Sequence, residues 1–398
     1  MIFVIFYLTN YIQHGHLRTS KIFIYHVHLF TNKMRLLIAG NLANTGYYLA
    51  SKLRSNGIEC DLLLGKNSPF GSDPKETGEI KNNIYPDWIK FWDNKKGWKR
   101  TILRIMRQYD LICASTELPI FALFSGKPYV ALATGSDLVR LAQSFSLKGV
   151  LLRLAYKRAK IVIHTLPSQI EYANKLKLKN ALFLPLFRDF KKPTLENKIV
   201  NVNNRFVFFH PTNHIWDIKA NDVFLRAYIR LCATRDDVHL ILINRGIDAK
   251  KSIDLLKNAG IEGKYEILPQ SLNQDELLQY YQNCQAIADQ FKLGSFGFIG
   301  LEVMSLKKPL ICYIDGDLYE RCYGEKPPAL SSKNEEEIYE ILKKLVDDKE
   351  FYNNISNKSY EWIIKFHLGE ILIKKYMTLY ELVHKKASFE EIKSDLKF

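Results

Sequence analysis

The chain has 398 residues, 47% of them hydrophobic and 25% charged, with 57 basic residues against 42 acidic and a formal charge of +15. That is the make-up of a folded globular protein with room for two domains, and it excludes a disordered chain. The positive excess favours anionic partners, yet the lysines and arginines are spread over most of the chain rather than gathered in one stripe, which argues against nucleic acid. Six cysteines, Cys60, Cys113, Cys232, Cys284, Cys312 and Cys322, are scattered without a CxxC pair, so neither a zinc site nor a disulfide framework is suggested and a reducing cytoplasm is expected. No apolar run approaches the length a membrane span needs.

The first 33 residues are an aromatic and basic patchwork without the charged leader and cleavage site of a signal peptide. At Met34 the character changes abruptly to Met34-Arg35-Leu36-Leu37-Ile38-Ala39-Gly40, the pattern of a first strand in a doubly wound domain. We read residues 1–33 as a non-native or disordered extension upstream of a natural start at Met34. An interfacial membrane anchor is the alternative.

From Met34 short apolar runs alternate with helical segments. Strands are predicted at Leu36 to Ala39, Cys60 to Leu64, Leu111 to Ser115, Tyr129 to Ala133, Ile161 to Thr165 and Ala181 to Pro185, with helices such as Tyr47 to Ser55 and Lys148 to Lys160 between them. This is βαβ logic with a parallel sheet covered on both faces. The stretch from Gly65 to Thr101 reads as a long loop. Its aromatics Tyr85, Trp88, Phe91 and Trp92 suit either a sugar-stacking platform or a small core of the loop's own. Phe187 to Asn204 is charged and polar, a good interdomain linker.

A second alternating series follows at Phe206 to His210, Leu240 to Ile243, Tyr265 to Leu268, Ala286 to Asp289 and Leu310 to Ile314. The predicted plan is therefore α/β: a Rossmann-like domain over 34–195, a second over 196–360, and a helical tail over 361–398 that either ends solvated or crosses back to the first domain. Open sheets of this kind bind ligands at the carboxyl ends of their strands, so a cleft between the domains is the expected site.

Three elements of the second half converge on an anionic ligand. The segment from Ala288 to Glu302 reads as strand, glycine loop and helix, with Gly294 and Gly297 breaking the strand and a helix beginning near Phe298. Such a helix start presents unpaired N–H groups and partial positive charge to a diphosphate, so Ser295, Phe296, Gly297 and Phe298 are candidate contacts. Glu302, a turn and a half inside, can accept hydrogen bonds from two vicinal ribose hydroxyls. Lys219 and Arg245, each after a strand of the same half, offer cations.

These residues resemble the retaining glycosyltransferases of family 4, which have the two-domain GT-B fold. The resemblance rests on Ser295-Phe296-Gly297-Phe298-Ile299-Gly300-Leu301-Glu302-Val303-Met304, which is similar to the second part of the family's Glu-x7-Glu element. It implies that Glu302 holds the nucleotide ribose. The family's first glutamate, which contacts the donor sugar, is replaced by Gly294, and Asp289 is the nearest carboxylate able to substitute. Lys219 matches the family's diphosphate lysine. His214 stands where the family has an arginine, a loss that a protonated imidazole or Arg245 would offset.

Gly40-Asn41-Leu42-Ala43-Asn44-Thr45-Gly46 resembles the family's first strand-to-helix loop, and Asp137 falls where many members place a His-Asp pair, here without the histidine. Asp315-Gly316-Asp317 has the spacing of a metal-binding motif from another glycosyltransferase fold, but the same triplet after a strand is a common turn. No metal or cofactor is expected.

The activity implied is transfer of a hexose from a nucleoside-diphosphate sugar to a glycan or lipid-linked acceptor with retention, in surface polysaccharide or glycoconjugate synthesis. Asp289 and Asp137 would orient sugar hydroxyls. A sugar-nucleotide epimerase of the same plan and a non-catalytic nucleotide- or glycan-binding subunit are the alternatives. The charge suits docking on the anionic inner leaflet of a membrane, and it suits plain solubility equally well.

Overall fold

Strand-forming apolar runs in the chain resolve into two parallel sheets. In the computed structural model residues 34–67, 71–80, 82, 84–93, 95–187, 190, 204–269 and 272–396 are described. The predicted extension 1–33 and nearly all of the predicted linker lie outside them.

The first sheet comprises β1 (Leu36–Ala39), β2 (Cys60–Gly65), β3 (Ile89–Trp92), β4 (Leu111–Ser115), β5 (Tyr129–Ala133), β6 (Ile161–His164) and β7 (Ala181–Phe183), in the order β3-β2-β1-β4-β5-β6-β7. All its pairings are parallel, with Leu36 opposite Cys60 on one side and Leu111 on the other. Every residue of β1, β4 and β5 is buried, as expected for strands covered on both faces. Helices α1 (Thr45–Ser55), α2 (Trp98–Met106), α3 (Pro119–Ser125), α4 (Leu147–Arg158) and α5 (Ile170–Lys175) connect the strands.

The second sheet holds β8 (Phe206–His210), β9 (Val238–Ile243), β10 (Tyr265–Leu268), β11 (Ala286–Ala288), β12 (Leu310–Cys312) and β13 (Leu330–Ser331), in the order β10-β9-β8-β11-β12-β13, again parallel. Between them run α6 (Trp216–Lys219), α7 (Asn221–Thr234), α8 (Ala249–Asn258), α9 (Gln274–Asn283), α10 (Phe298–Ser305) and α11 (Gly316–Tyr323). Strand order reverses between β1 and β4 in one sheet and between β8 and β11 in the other. Such reversals open a crevice at the carboxyl edge, and the loops beside it are where ligands bind.

Two expectations change here. The long loop after Gly65 contains β3, an edge strand, and Tyr85, Trp88, Phe91 and Trp92 pack half-buried against the first domain's core rather than standing out as a platform. Trp88 stacks on Tyr47 of α1 with ring centroids 5.5 Å apart.

The C-terminal region is four helices: α12 (Glu335–Asp347), α13 (Lys349–His367), α14 (Gly369–His384) and α15 (Phe389–Asp395). Helix α12 places Ile338, Leu342 and Leu345 in the core of the second sheet, and α13 adds Trp362, Ile363 and Phe366 to that sheet's other face. The sequence division at 360/361 falls inside α13; the chain leaves the second domain at Leu368. Helix α14 then packs Leu372, Ile373, Tyr376, Leu379 and Tyr380 into the core beneath β1 of the first domain. The Tyr376 hydroxyl donates to the Pro185 carbonyl at 2.9 Å. Each such buried aliphatic or aromatic side chain contributes roughly 1.5–3 kcal/mol, so the tail is part of the first domain's core.

Candidate nucleotide-sugar site

The loops after β8 and β11 flank the strand-order reversal of the second sheet, and most of the predicted donor-site residues lie on them. The loop after β8 turns through buried Thr212 and His214 into α6, whose last residue is Lys219. Lys219 donates its ammonium to the Thr212 hydroxyl. Burial pulls the Lys219 pKa below the ordinary lysine range, the Asp289 carboxylate pulls it back up, and Arg245 lowers it again. The Lys219 carbonyl accepts the Phe291 N–H at 2.7 Å, which ties this loop to the one after β11.

Asp289 is buried at the end of β11. Burial raises its pKa, and Lys219 and the Thr212 hydroxyl oppose that rise. This carboxylate is therefore buried within the field of the lysine rather than on an open sugar-binding surface.

Arg245 follows β9 and donates Nη2 to the Pro211 carbonyl at 3.1 Å. Its backbone carbonyl accepts the His214 N–H at 2.7 Å. At Gly246 a Cβ would fall 2.3 Å from the His214 carbonyl oxygen, so only glycine lets these two loops pack together. His214 corrects one expectation. Its imidazole is buried and its pKa is pushed down to about 4, by burial first and then by Lys219 and Arg245. It is neutral at neutral pH and does not replace the charge of an arginine.

Beneath it, His210 faces the Ala288 carbonyl through Nδ1 at 3.0 Å and the Asn221 amide through Nε2 at 3.0 Å. That pairing fits a neutral ring carrying its proton on Nδ1.

The glycine loop is shaped by Gln290. Its amide donates to the carbonyls of Ser295 at 3.0 Å and Tyr313 at 2.6 Å, and its oxygen accepts the N–H groups of Lys292 and Leu293. Gly294 has φ +73, and a side chain there would meet Asp315 at 3.4 Å. The family's first glutamate could not sit here without strain, so the loop is built around its absence.

The Phe296 N–H donates to the Tyr319 hydroxyl at 3.1 Å, which removes it from the predicted diphosphate donors. Helix α10 begins after Gly297 with no side-chain cap, and a Cβ at Gly297 would meet nothing within 4 Å. Open space thus faces an uncapped helix start. Gly300 is the opposite case: a Cβ there would strike the Phe296 side chain at 2.7 Å.

Glu302, 8% exposed, lies on the buried side of α10. Gln274 at the start of α9 donates to its Oε1 at 3.5 Å, and the Tyr48 hydroxyl of α1 donates to the Gln274 oxygen at 2.9 Å. A second bridge joins Ser295 to Ser168, their hydroxyls 2.8 Å apart. The two sheets are thus tied across the crevice at two points, both beside predicted site residues. Tyr48, Ser168, Thr212, Gln274 and Gln290 were not singled out from the sequence. The partners of Tyr48 and Ser168 are 226 and 127 residues away, so no local pattern reveals them.

On the first domain, Gly40 (φ +102) leaves no room for a side chain, since a Cβ would lie 2.2 Å from the Ser115 hydroxyl. The loop beyond it is fixed by Asn41, whose amide donates to Asn44 at 2.8 Å and to the Ser72 carbonyl at 2.7 Å. Asp137 also departs from expectation. Its carboxylate accepts the N–H groups of Thr134, Gly135 and Leu138 at 2.8–3.1 Å, so it anchors its own loop and is not presented to a sugar. Burial raises its pKa and those three N–H groups lower it. Asp315 caps α11 by accepting the Leu318 N–H at 3.2 Å, while Asp317 pairs with Lys326. These are the roles of a turn.

Residues 193–362 match the family model described as Glycosyl transferases group 1. The whole architecture is that of solved GT-B structures. HepE from Anabaena, crystallised with UDP and glucose, is 16% identical with a TM-score of 0.69, covering 87% of this chain and 99% of that one. Sucrose-phosphate synthase from Thermosynechococcus elongatus is 12% identical with a TM-score of 0.65, covering 89% of this chain and 100% of that one. A putative UDP-N-acetylglucosamine 2-epimerase from Listeria monocytogenes is more distant, at 11% identity and a TM-score of 0.59 over 90% of this chain and 98% of that one. No curated protein matches the chain. The match to the group 1 glycosyltransferases thus lies on the second domain, and the chain as a whole has the GT-B fold. No helix among the described residues is long and apolar enough to cross a membrane.

Proposed function

We propose that the protein transfers a hexose from a nucleoside-diphosphate sugar to a glycan or lipid-linked acceptor, with retention at the anomeric carbon as in family 4. The observation that carries this reading is the uncapped start of α10, facing open space at Gly297 with Lys219 and Arg245 on the adjacent loops. As the bond to the leaving diphosphate breaks, negative charge grows on its oxygens; the two cations and the helix start stabilise that charge without a metal. Thr212 holds the Lys219 ammonium by a hydrogen bond, and the field of buried Asp289 favours its charge. Glu302 takes the two ribose hydroxyls, exchanging its contact with Gln274 for them. The bridges at Gln274 and Ser168 bring the domains together, which excludes water as a competing acceptor.

UDP is the first nucleotide to try, because it occupies the Anabaena structure of similar fold. Incubation with UDP-sugars and a panel of glycan and lipid-linked acceptors, read by NMR at the anomeric proton, tests the activity. A product that keeps the donor's anomeric configuration supports it; an inverted product or free epimerised sugar refutes it.

A second reading, binding without turnover, is favoured by two observations. Gly294 replaces the sugar-binding glutamate, and Asp137 is consumed by its own loop. Nucleotide-sugar binding with no product across the panel supports that reading.

A further inference from the structure

Helices α2, α3 and α4 form one layer on the first sheet, their inner residues Ile102, Met106, Ala122, Leu152 and Tyr156 sharing a single core. Their outer surface is unusual for a folded protein. Phe145 is 96% exposed and Leu147 77%, and Phe124, Val150 and Leu154 are exposed with them. The spacing of Leu147, Val150 and Leu154 puts all three on one face of α4. Single exposed apolar residues are ordinary, but a group of this kind on adjoining helices marks an interaction surface.

The charge on the same layer is one-sided. Segments 97–108, 119–127 and 138–160 contain eleven lysines and arginines and no acidic residue. The sequence shows basic residues spread along the chain; folding brings these three segments together. Arg100, Arg104, Arg107, Lys157 and Arg158 are exposed and make no ion pair among the described residues. On the second domain, by contrast, Arg226 and Arg230 of α7 are paired with Glu335 and Glu336 of α12. Among the described residues the basic layer has one ion pair, Lys148 with Glu117, which fastens the start of α4 to the loop before α3.

We propose that this face docks on a bilayer rich in anionic phospholipid. Phe145, Leu147, Val150 and Leu154 enter the boundary between headgroups and acyl chains while the unpaired cations meet the phosphates, and long basic side chains span the two environments. Helix α4 starts from the carboxyl edge of the first sheet, the edge that carries the Gly40 loop, so the most exposed apolar residues lie at the end of the layer nearest the site. Delivery of a lipid-linked acceptor to that site rests on the function proposed above; the docking itself does not.

The test is co-sedimentation of the full chain with vesicles of phosphatidylcholine alone or with about 30% phosphatidylglycerol, over a range of salt. Two double variants accompany it, Phe145→Ser with Leu147→Ser, and Arg104→Glu with Arg107→Glu. We expect at least tenfold tighter binding to the anionic vesicles, weakening as salt rises, and a further loss of roughly tenfold or more in each double variant. Because all four side chains are exposed or lie on the outer face, the variants should keep the wild-type circular dichroism and UDP titration, which separates failure of docking from failure of the donor site. No binding to anionic vesicles overturns the proposal. So does equal binding by folded variants.

Discussion

Lys219→Met is the most informative single change, because two separable consequences follow from one side chain. The ammonium reaches the Thr212 hydroxyl and lies within the field of buried Asp289. A charge-assisted contact to phosphate is worth about 1.5–3 kcal/mol, so UDP affinity should fall roughly 10- to 150-fold. The variant also leaves a buried carboxylate without its cation. Breaking a tight buried pair costs about 3–5 kcal/mol. Here Asp289 keeps the Thr212 hydroxyl and takes up a proton readily, so about 2 kcal/mol is expected, or roughly 4–8 °C in the melting temperature of a domain this size.

Adding Asp289→Asn removes the stranded charge. The double variant should recover most of the stability while its UDP affinity stays as low as the single variant's. Calorimetric titration and thermal denaturation of the three proteins give both readings. An affinity within twofold of wild type in either variant would refute the role given to Lys219. A double variant as unstable as the single one would refute the coupling to Asp289.

Glu302→Ala should weaken UDP binding about tenfold and abolish any preference for UDP over its 2′-deoxy analogue, a pair of titrations that reports on the ribose alone. Gly297→Ala, whose Cβ meets nothing, should leave stability within about 0.5 kcal/mol and lower UDP affinity. Gly300→Ala drives a Cβ into Phe296 and should cost about 1–3 kcal/mol in urea denaturation. Acid should destabilise the protein. His164 and His214 have folded pKa values pushed down to about 4 from 6.5, so the unfolded chain binds more protons between those values. Their contribution is complete above about pH 6.5 and is lost as pH falls toward 4; by pH 5 the loss amounts to about 2 kcal/mol for each histidine. Stability measured at pH 7.5 and 5.0 should show this loss, and replacing His164 with Phe should lessen it.

The strands that the sequence shows most clearly are those buried on both faces. Leu36–Ala39, Leu111–Ser115 and Phe206–His210 are unbroken or nearly unbroken apolar runs, and their bounds agree with the structure. The strands it hides are edges. In β3, Lys90 interrupts Ile89, Phe91 and Trp92, close after Pro86, while β13 is two residues long. The glycine loop is legible for a related reason: glycine needs no partner to announce a turn or an open approach. Its supports are not. Gln290 works through four backbone groups, and Asp289, exposed to view in the sequence, turns out to be buried in the field of Lys219. Asp137 is the same lesson on the first domain, since a short acidic side chain after a strand caps its own loop as readily as it meets a ligand. The neutral state of His214 depends on two cations from separate loops, which spacing along the chain does not disclose.

The proposed function requires the crevice beside β8 and β11 to hold a nucleoside diphosphate. Isothermal titration of the full chain with UDP tests it most directly. Saturable binding at one site is expected, weakened at least tenfold by Lys219→Met with Asp289→Asn. No detectable binding of UDP, ADP or GDP by the folded protein would contradict it.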